Sequence, residues 1–387
     1  MEHFLLDIGI ILVGSAIFSV IAVMLKQPII VAYLLCGAIF GPWGIGWIRH
    51  PESIERIAHI GITLLLFLAG LTLHPQKLLK LFKRVSLITL ASCVSSFIIA
   101  FVFALIAGFS SFEAAIIGLA LMFSSTILVV KLLPTTTLHQ QRLGAVCISV
   151  LILEDLLAVA VLALIRSLDA AQGTWIHFIW LSLKLVGFIG ILFLLEKYLL
   201  TPLMMKVERL HELIFILGLA WCFGIAAISN HMGLFYETGA FFAGVAIAQH
   251  KISLFISENL KPLRDFFLVL FFFTLGANLN IFVVQDILVP AIGLAVIFIF
   301  LKPWIFSRLF SWAGEKSAFS KEVGFRLGQL SEFSLLIALL ALETRFISTH
   351  ALQFIELVTI ITFIASSYIV VLKFPTPIGI SEKLIRD

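Results

Sequence analysis

Charged residues are scarce in this sequence: Asp, Glu, Lys and Arg together make up 12% of its 387 residues. A soluble globular chain carries roughly 25% of such residues, so that class is excluded. The sequence also has no Lys/Arg-rich arm, and we expect no nucleic-acid partner. Apolar residues dominate instead, at 61%. The composition predicts an integral membrane protein.

Cysteines and enzyme motifs are also few. Four cysteines are present, each in a different apolar segment: Cys36, Cys93, Cys147 and Cys222. They lack the short spacing of a metal or redox motif, so we interpret them as buried apolar residues. The sequence has no His/Cys cluster with metal-ligand spacing, no GxSxG elbow and no Gly-rich phosphate loop. We therefore expect neither an enzyme nor a bound cofactor.

Apolar runs of about 20 residues, long enough to cross a bilayer as helices, recur along the whole chain. They define predicted spans 1 to 13 at residues 4–25, 28–47, 55–73, 85–109, 112–133, 143–166, 174–199, 210–229, 232–249, 264–284, 286–312, 322–343 and 350–374. The first run lacks the basic region of a secretory signal, so we interpret it as a spanning helix. Thirteen is an odd number, which places the two termini on opposite sides.

The distribution of basic residues predicts the orientation. With the N-terminus outside, 19 of the 26 Lys and Arg residues lie on the cytoplasmic side and 4 on the other. This is the bias expected for cytoplasmic loops. We therefore expect a multi-pass protein of the inner (plasma) membrane, with a cytoplasmic C-terminus and membrane lipid as a partner.

The span count also indicates internal symmetry. Spans 1 to 6 and 8 to 13 form two sets offset by seven, an odd number, so equivalent spans run in opposite directions. This is the geometry of inverted repeats, with span 7 as a linker.

Polar clusters occupy the middle of two equivalent spans. Span 5 contains FSSTIL at 123–128, and span 12 contains GQLSEFS at 328–334. Ser, Thr and Gln side chains can satisfy backbone groups where a helix is interrupted, and opposed half-helices direct their dipoles at an ion site. Ser124, Ser125 and Thr126 are therefore candidate site residues. The alternative is that they only hydrogen-bond back into their own helix.

Two adjacent acids, Glu154 and Asp155 in ILEDLLAV, lie at mid-span in span 6, where ionisation is most costly. Carboxylate oxygens bind hard cations and also accept protons, so Na⁺, K⁺ and H⁺ compete for the same oxygens. Burial favours the neutral acid, and a nearby cation opposes this. We expect Asp155 and Glu154, with Ser125 and Thr126, to bind a monovalent cation or protons. The alternative is a buried ion pair without a transport role.

Several other polar residues are expected to support this site. Lys302 in LKPW could neutralise Glu154 and release its own proton when desolvated, or it could extend to the cytoplasmic end of its helix. Glu332 and Arg326 could line the site or form structural pairs, and a scaffold role is favoured for Arg326. The supporting set is Lys302, Glu332, Ser124, Ser331 and Arg326.

The motifs together resemble a known family. They are GPWGIGW at 41–47, FLAGLTLHPQKL at 67–78, SSTILVVKLL at 124–133, the acid pair in ILEDLLAV, GAFFAGVAIA at 239–248 and GQLSEFS at 328–334. In this order they resemble the monovalent cation:proton antiporter-2 family, which includes Kef-type potassium efflux systems and bacterial sodium/proton antiporters. The resemblance covers nearly the whole chain.

The resemblance implies an all-α polytopic membrane protein with thirteen transmembrane helices, inverted repeats and a sodium/proton-antiporter-like fold. Spans 5 and 12 are then broken helices that cross. The implied domains are a dimerisation domain at 1–84 and 210–285, a linker helix at 171–209, and a core transport domain at 85–170 and 286–387 that ends in a short cytosolic tail.

The resemblance also implies an activity, namely exchange of K⁺ or Na⁺ for protons by an elevator-type movement of the core domain in a homodimer. Asp155 matches the family's ion-binding Asp, Lys302 its lysine in span 11, and Ser125 and Thr126 its hydroxyls. Glu154 stands where sodium exchangers usually have Asp and Kef-type proteins have Gln, so neither the cation nor the stoichiometry follows.

Kef-type members commonly carry a cytosolic nucleotide-binding domain after the last helix, whereas this sequence ends at Asp387. Either this is an ungated member or the domain has been removed from the sequence, and a cytosolic regulatory domain or subunit is a candidate partner. Two other functions stay open because a fold does not fix a function: a gated, channel-like potassium efflux pathway, and an ion-coupled symporter for an organic anion.

Overall fold

The computed structural model describes residues 2–25, 29–48, 52–71, 75–134, 142–169, 175–207, 210–232, 234, 236–248, 250 and 252–376. Within these residues the helices are, in chain order, α1 (Glu2–Met24), α2 (Ile29–Phe40), α3 (Glu52–Leu71), α4 (Pro75–Ile106), α5 (Ser111–Ala120), α6 (Thr126–Leu132), α7 (Arg142–Asp169), α8 (Trp175–Leu195), α9 (Thr201–Lys206), α10 (His211–His231), α11 (Tyr236–Ile247), α12 (Ile252–Asn278), α13 (Ile281–Trp312), α14 (Ser317–Arg326), α15 (Phe333–Glu343) and α16 (Thr349–Lys373). A π-helical segment, Glu196–Leu200, joins α8 to α9.

The helices follow the apolar runs because a backbone in lipid must satisfy its own hydrogen bonds, and a helix does so within one segment. Within the described residues, seven helices are long and apolar enough to cross a membrane, and four shorter apolar helices accompany them. The structure is therefore that of an all-α polytopic membrane protein, as expected. The number of thirteen spans stays a prediction.

Predicted span 5 is interrupted. It consists of α5 and α6, and residues 121–125 between them are not helical. Ser110 caps α5 in a capping box with Glu113, and Ser125 caps α6 by accepting a hydrogen bond from Leu128 N at 3.1 Å. These side chains satisfy backbone donors at the two helix starts.

Predicted span 12 is interrupted in the same way. It consists of α14 and α15, and residues 327–332 between them are not helical. The two polar clusters read from the sequence therefore coincide with the two interruptions. Crossing of the two spans stays a prediction.

The chain divides into two compact units. The first is Met1–Ile11, Ile48–Leu79 and Ala163–Thr274, and the second is Leu12–Trp47, Lys80–Leu162 and Leu275–Asp387. This division reflects packing within one chain, so the assignment of a dimerisation domain and a core transport domain stays a prediction.

The first unit contains a close approach of α3 and α11. A Cβ atom on Gly244 would lie 2.1 Å from the carbonyl oxygen of Phe67, and one on Gly70 would lie 2.2 Å from that of Phe241. Glycine at both positions lets the two backbones touch, as small residues do between membrane helices. Trp221 fixes α10 to the same element by donating to Ala243 O at 3.0 Å.

The second unit contains both interruptions, together with most of α7 and all of α13 and α16. Helix α14 packs tightly on α13 because Gly324 and Gly328 face Pro303: a Cβ atom on Gly324 would lie 2.4 Å from Pro303 O. This contact brings Lys302, the neighbour of Pro303, to the start of the second interruption. An apolar cluster that includes Val129, Val146 and Phe306 packs around the contact between α13 and α14.

Candidate functional site

Asp155 lies on α7 and is 3% exposed. Thr126, the first residue of α6, places its hydroxyl 3.1 Å from Asp155 Oδ1 and 3.2 Å from Oδ2. The carboxyl group and the hydroxyl therefore present oxygens together at the edge of the first interruption. Oxygens of these two types are suitable ligands for a hard cation.

Glu154 is fully buried, and it has different partners because adjacent residues point about 100° apart on a helix. The backbone N–H of Ser124 donates to Glu154 Oε2 at 2.7 Å, and Ser124 Oγ lies 3.4 Å from Oε1. Glu154 thus satisfies a backbone donor that the interruption leaves without a helical acceptor. Its carboxyl group holds the extended segment against α7.

The two interruptions contact each other. Ser124 Oγ donates to Leu327 O at 2.9 Å, and Gln329 Nε2 donates to Ser125 O at 3.4 Å. The alternative that these hydroxyls serve only their own helix is therefore wrong for Ser124, and also for Thr126, which contacts Asp155. For Ser125 it holds, because its Oγ caps α6.

Lys302 is fully buried on α13. Its Nζ donates to Phe123 O at 2.6 Å and to Gln329 O at 3.3 Å, one carbonyl from each interruption. The alternative of extension to the cytoplasmic end is therefore wrong. The expected influence on Glu154 is present as a charge interaction, while the hydrogen bonds of Lys302 go to the backbone.

The second interruption ends in a polar turn. Ser331 Oγ accepts from Phe333 N at 3.1 Å, and Glu332, at 3% exposure, is the N-cap residue of α15. Glu332 and Asp155 are close enough for their charges to interact, as are Asp155 and Glu154. Two further acids of the second unit, Glu154 and Glu332, thus act on the charge of Asp155.

Arg326, at the end of α14, has structural partners. It donates to Leu132 O at 3.1 Å, to Glu322 Oε1 at 2.8 and 3.0 Å, and to Pro375 O at 2.9 Å, and it lies over the ring of Phe374. These contacts support the scaffold role that the sequence favours. A direct part in ion binding by Arg326 has no support in this geometry.

Sequence reasoning missed Gln329 and the buried polar side chains of α16. Gln329 accepts from Ser366 Oγ at 3.3 Å, and Thr362 Oγ1 accepts from Leu330 N at 3.4 Å. Glu356 on α16 is also buried. The rule that singled out Glu154, an acid inside an apolar span, applies equally to Glu356 and would have found it.

The described residues contain no group of three or more His, Cys, Asp or Glu side chains arranged to hold a metal ion. The four cysteines are buried thiols.

Comparison with known proteins agrees with this architecture. The chain matches the family model described as sodium/hydrogen exchanger, transmembrane, over residues 9–373. Among solved structures it is similar to the sodium proton antiporter MjNhaP1 from Methanocaldococcus jannaschii, with a TM-score of 0.72, 18% identity and coverage of 95% of both chains. This similarity confirms the expected antiporter-like fold.

Curated relatives include the glutathione-regulated potassium-efflux system protein KefC of Salmonella arizonae, 30% identical over 348 residues, and that of Klebsiella pneumoniae, 29% identical over 343 residues. Each alignment covers 87% of this chain and 55% of the relative. The chain thus spans about half the length of these curated relatives. Because the family model matches nearly the whole chain, we conclude that this multi-pass membrane protein belongs to the sodium/hydrogen exchanger family, a family of transporters.

Proposed function

We propose that this protein exchanges a monovalent cation, K⁺ or Na⁺, for protons, and that both bind in turn at Asp155. The observation that carries the proposal is the carboxyl group of Asp155, 3% exposed, with the Thr126 hydroxyl 3.1 and 3.2 Å from its two oxygens at a helix interruption. A carboxylate in this position needs either a cation or a proton to offset the loss of water.

The surrounding charges support competition between the two. Asp155 interacts with the charges of Glu332 and Glu154, whereas the ammonium of Lys302 acts on Glu154. Neighbouring carboxylates disfavour each other's ionisation, so Asp155 carries its negative charge most easily when a cation is present. Loss of the cation then favours proton uptake, and this alternation is the basis of exchange.

The remaining site residues have distinct proposed roles. Thr126 contributes an oxygen to the cation beside Asp155. Glu154 and Ser125 shape the interruption, because their side chains accept from the backbone N–H groups of Ser124 and Leu128. Lys302 and Ser124 hold the two interruptions together, and Ser331 and Glu332 form the opposite wall.

We further propose alternating access of the elevator type, in which the domain that carries Asp155 moves against a dimerisation domain in a homodimer. The basic-residue bias supports a location in the inner membrane with the N-terminus outside. Surrounding lipid is the expected partner of the apolar exposed faces. A cytosolic regulatory domain or subunit is a further proposed partner, in keeping with the name of the KefC relatives, which describes regulation by glutathione.

The proposal leaves two candidates for the transported cation, K⁺ and Na⁺. The curated relatives are potassium-efflux proteins, which supports potassium, and the structural neighbour is a sodium proton antiporter, which supports sodium. An assay with purified protein in proteoliposomes that enclose a pH dye distinguishes the two. K⁺, Na⁺ or Li⁺ is added separately, and an imposed pH gradient should dissipate when the added cation is one that the protein transports.

Asp155→Asn should abolish this cation-driven proton movement while the protein stays folded, because the amide can neither ionise nor carry the proton. Cation flux without proton movement at clamped voltage would instead indicate the channel-like pathway. Proton movement that depends on an added organic anion would indicate the symporter. Turnover of Asp155→Asn equal to that of the natural sequence would remove the site assignment.

A further inference from the structure

A row of buried polar side chains winds along α16. Gln353, Glu356, Thr359, Thr362 and Ser366 are between 0% and 7% exposed. Residues three positions apart are neighbours on a helix but lie about 60° apart around its axis, so these five side chains form a polar stripe that winds around α16. The outer half of the stripe, meaning the half nearer the start of α16, belongs neither to the proposed cation site nor to the sequence motifs.

The inner end of the stripe lies at the second interruption. Thr362 Oγ1 accepts from Leu330 N at 3.4 Å, and Ser366 Oγ donates to Gln329 Oε1 at 3.3 Å. From Thr362 the stripe continues toward the start of α16 as far as Gln353, about 14 Å along the helix axis. It therefore extends from the wall of the proposed cation site across roughly half of a hydrocarbon core.

Several buried polar atoms along the outer half of the stripe, or on the helix that packs on it, have no hydrogen-bond partner among the described residues. Among the described residues, Gln353 Oε1 and Thr359 Oγ1 are buried without a hydrogen bond, and so is Ser334 Oγ in the first turn of α15, which packs on α16. A buried polar atom left unsatisfied costs about 1–3 kcal/mol. Buried polar atoms of this kind are usually bridged by water. Two of them, Gln353 Oε1 and Thr359 Oγ1, lie one helical turn before and after Glu356, and this arrangement indicates bound water along the stripe.

We propose that this stripe is a proton path between the outer surface and the pair Asp155 and Glu332, and that Glu356 is its titratable station. The inference deepens the proposed antiport and rests on it. Water and the Thr359 hydroxyl both donate and accept hydrogen bonds, so a proton can pass along them by exchange of bonds. Glu356 releases one proton inward and regains one from outer water, which leaves the path unchanged.

The spacing favours a proton over a cation as the occupant. A dehydrated cation requires several oxygens around one point, whereas the polar groups of Gln353, Glu356 and Thr359 follow one another about one helical turn apart. Protons can move between groups spaced in this way through single water molecules.

Other titratable groups lie on the elements that pack against α16 or on α16 itself. They are Glu113 on α5, Lys131 on α6, Asp286, Lys302 and Arg308 on α13, Lys321, Glu322 and Arg326 on α14, Glu343 on α15, and His350, Tyr368 and Lys373 on α16. Glu332, at the start of α15, lies two residues after Leu330, whose backbone N–H donates to Thr362 Oγ1 at the inner end of the stripe.

The experiment compares two fluxes in proteoliposomes. The first is proton movement driven by the cation that the natural sequence transports, and the second is exchange of ⁸⁶Rb⁺ for Rb⁺, or of ²²Na⁺ for Na⁺, which needs Asp155 but no proton. We expect Glu356→Gln to lower the proton-coupled flux at least about tenfold and to leave self-exchange within about twofold. Asp155→Asn should lose both fluxes, and Glu343→Gln, an exposed acid at the end of α15, should lose neither.

Thr359→Val keeps the shape of the side chain and removes the hydroxyl, so it tests the path even where Glu356→Gln fails to fold. We expect it to slow the proton-coupled flux several-fold and to spare self-exchange. Unchanged proton coupling in both folded variants, or a parallel fall of both fluxes, overturns the path. Absence of proton coupling in the natural sequence overturns the proposed antiport itself, so the two failures are distinct.

Discussion

The side-chain nitrogen of Lys302 lies 2.6 Å from the carbonyl oxygen of Phe123, and the same nitrogen donates to Gln329 O at 3.3 Å. One ammonium group therefore binds a carbonyl from each of the two helix interruptions. Hydrogen bonds from a charged donor are stronger than neutral ones, so this side chain fixes the position of one interruption relative to the other.

Lys302→Met should destabilise the protein by about 3–5 kcal/mol, because it removes a buried charge and leaves two carbonyls and Glu154 without compensation. The measurement is thermal unfolding of the purified protein. Lys321→Met, at an exposed position of α14, is the matched control. Equal unfolding temperatures for the two variants would show that Lys302 does not hold the interruptions.

Thr126→Val should weaken cation binding without loss of the fold. A hydrogen-bonding group beside a charged partner is worth about 1.5–3 kcal/mol, which corresponds to roughly a 10- to 100-fold rise in the KM for the cation. The assay is cation-dependent dissipation of the pH gradient over a concentration series. Thr126→Ser keeps the hydroxyl and should stay close to the natural sequence; a similar KM in all three proteins would exclude Thr126 as a ligand.

Glu154→Gln should preserve the fold, because the amide oxygen can still accept from Ser124 N. We expect some transport to remain with altered coupling, since the variant removes an ionisable group near Asp155. The response of the flux to an imposed membrane potential measures this change. Complete inactivity of the folded variant would instead show that Glu154 is an obligatory carrier.

Gly244→Ala should destabilise the first unit by about 1–3 kcal/mol, because the new methyl group would lie 2.1 Å from Phe67 O and would force α3 and α11 apart. Gly224→Ala on α10 is the control, since nothing lies within 4 Å of its added carbon. Thermal unfolding should separate the two variants. Equal unfolding temperatures for the two variants would show that α3 and α11 accommodate the methyl group without loss of stability.

The sequence predicted much of the fold, because each apolar run must form a helix in lipid and each polar cluster inside such a run must be satisfied. Both interruptions follow from this rule, and so does the burial of Glu154 and Asp155. The charge bias also predicts an orientation, because basic loops are retained on the cytoplasmic side.

The partners of individual side chains could not be predicted. Lys302 was expected to neutralise Glu154, but its hydrogen bonds go to Phe123 O and Gln329 O, which become available only because two distant segments lose their helical bonds. The sequence shows that a segment is polar, but it does not show which carbonyl faces which donor. Pairing of this kind is set by tertiary packing, as in the approach of Gly324 to Pro303.

Arg326 adds a mechanical consequence. Its guanidinium binds Leu132 O at the end of α6 and Pro375 O just after α16. Tension applied to the chain at Pro375 would therefore reach α6 through a single side chain, and Thr126 lies only about 9 Å farther along that rigid helix. A pull of this kind at the end of α16 would shift an oxygen of the proposed cation site without any ligand entering the membrane.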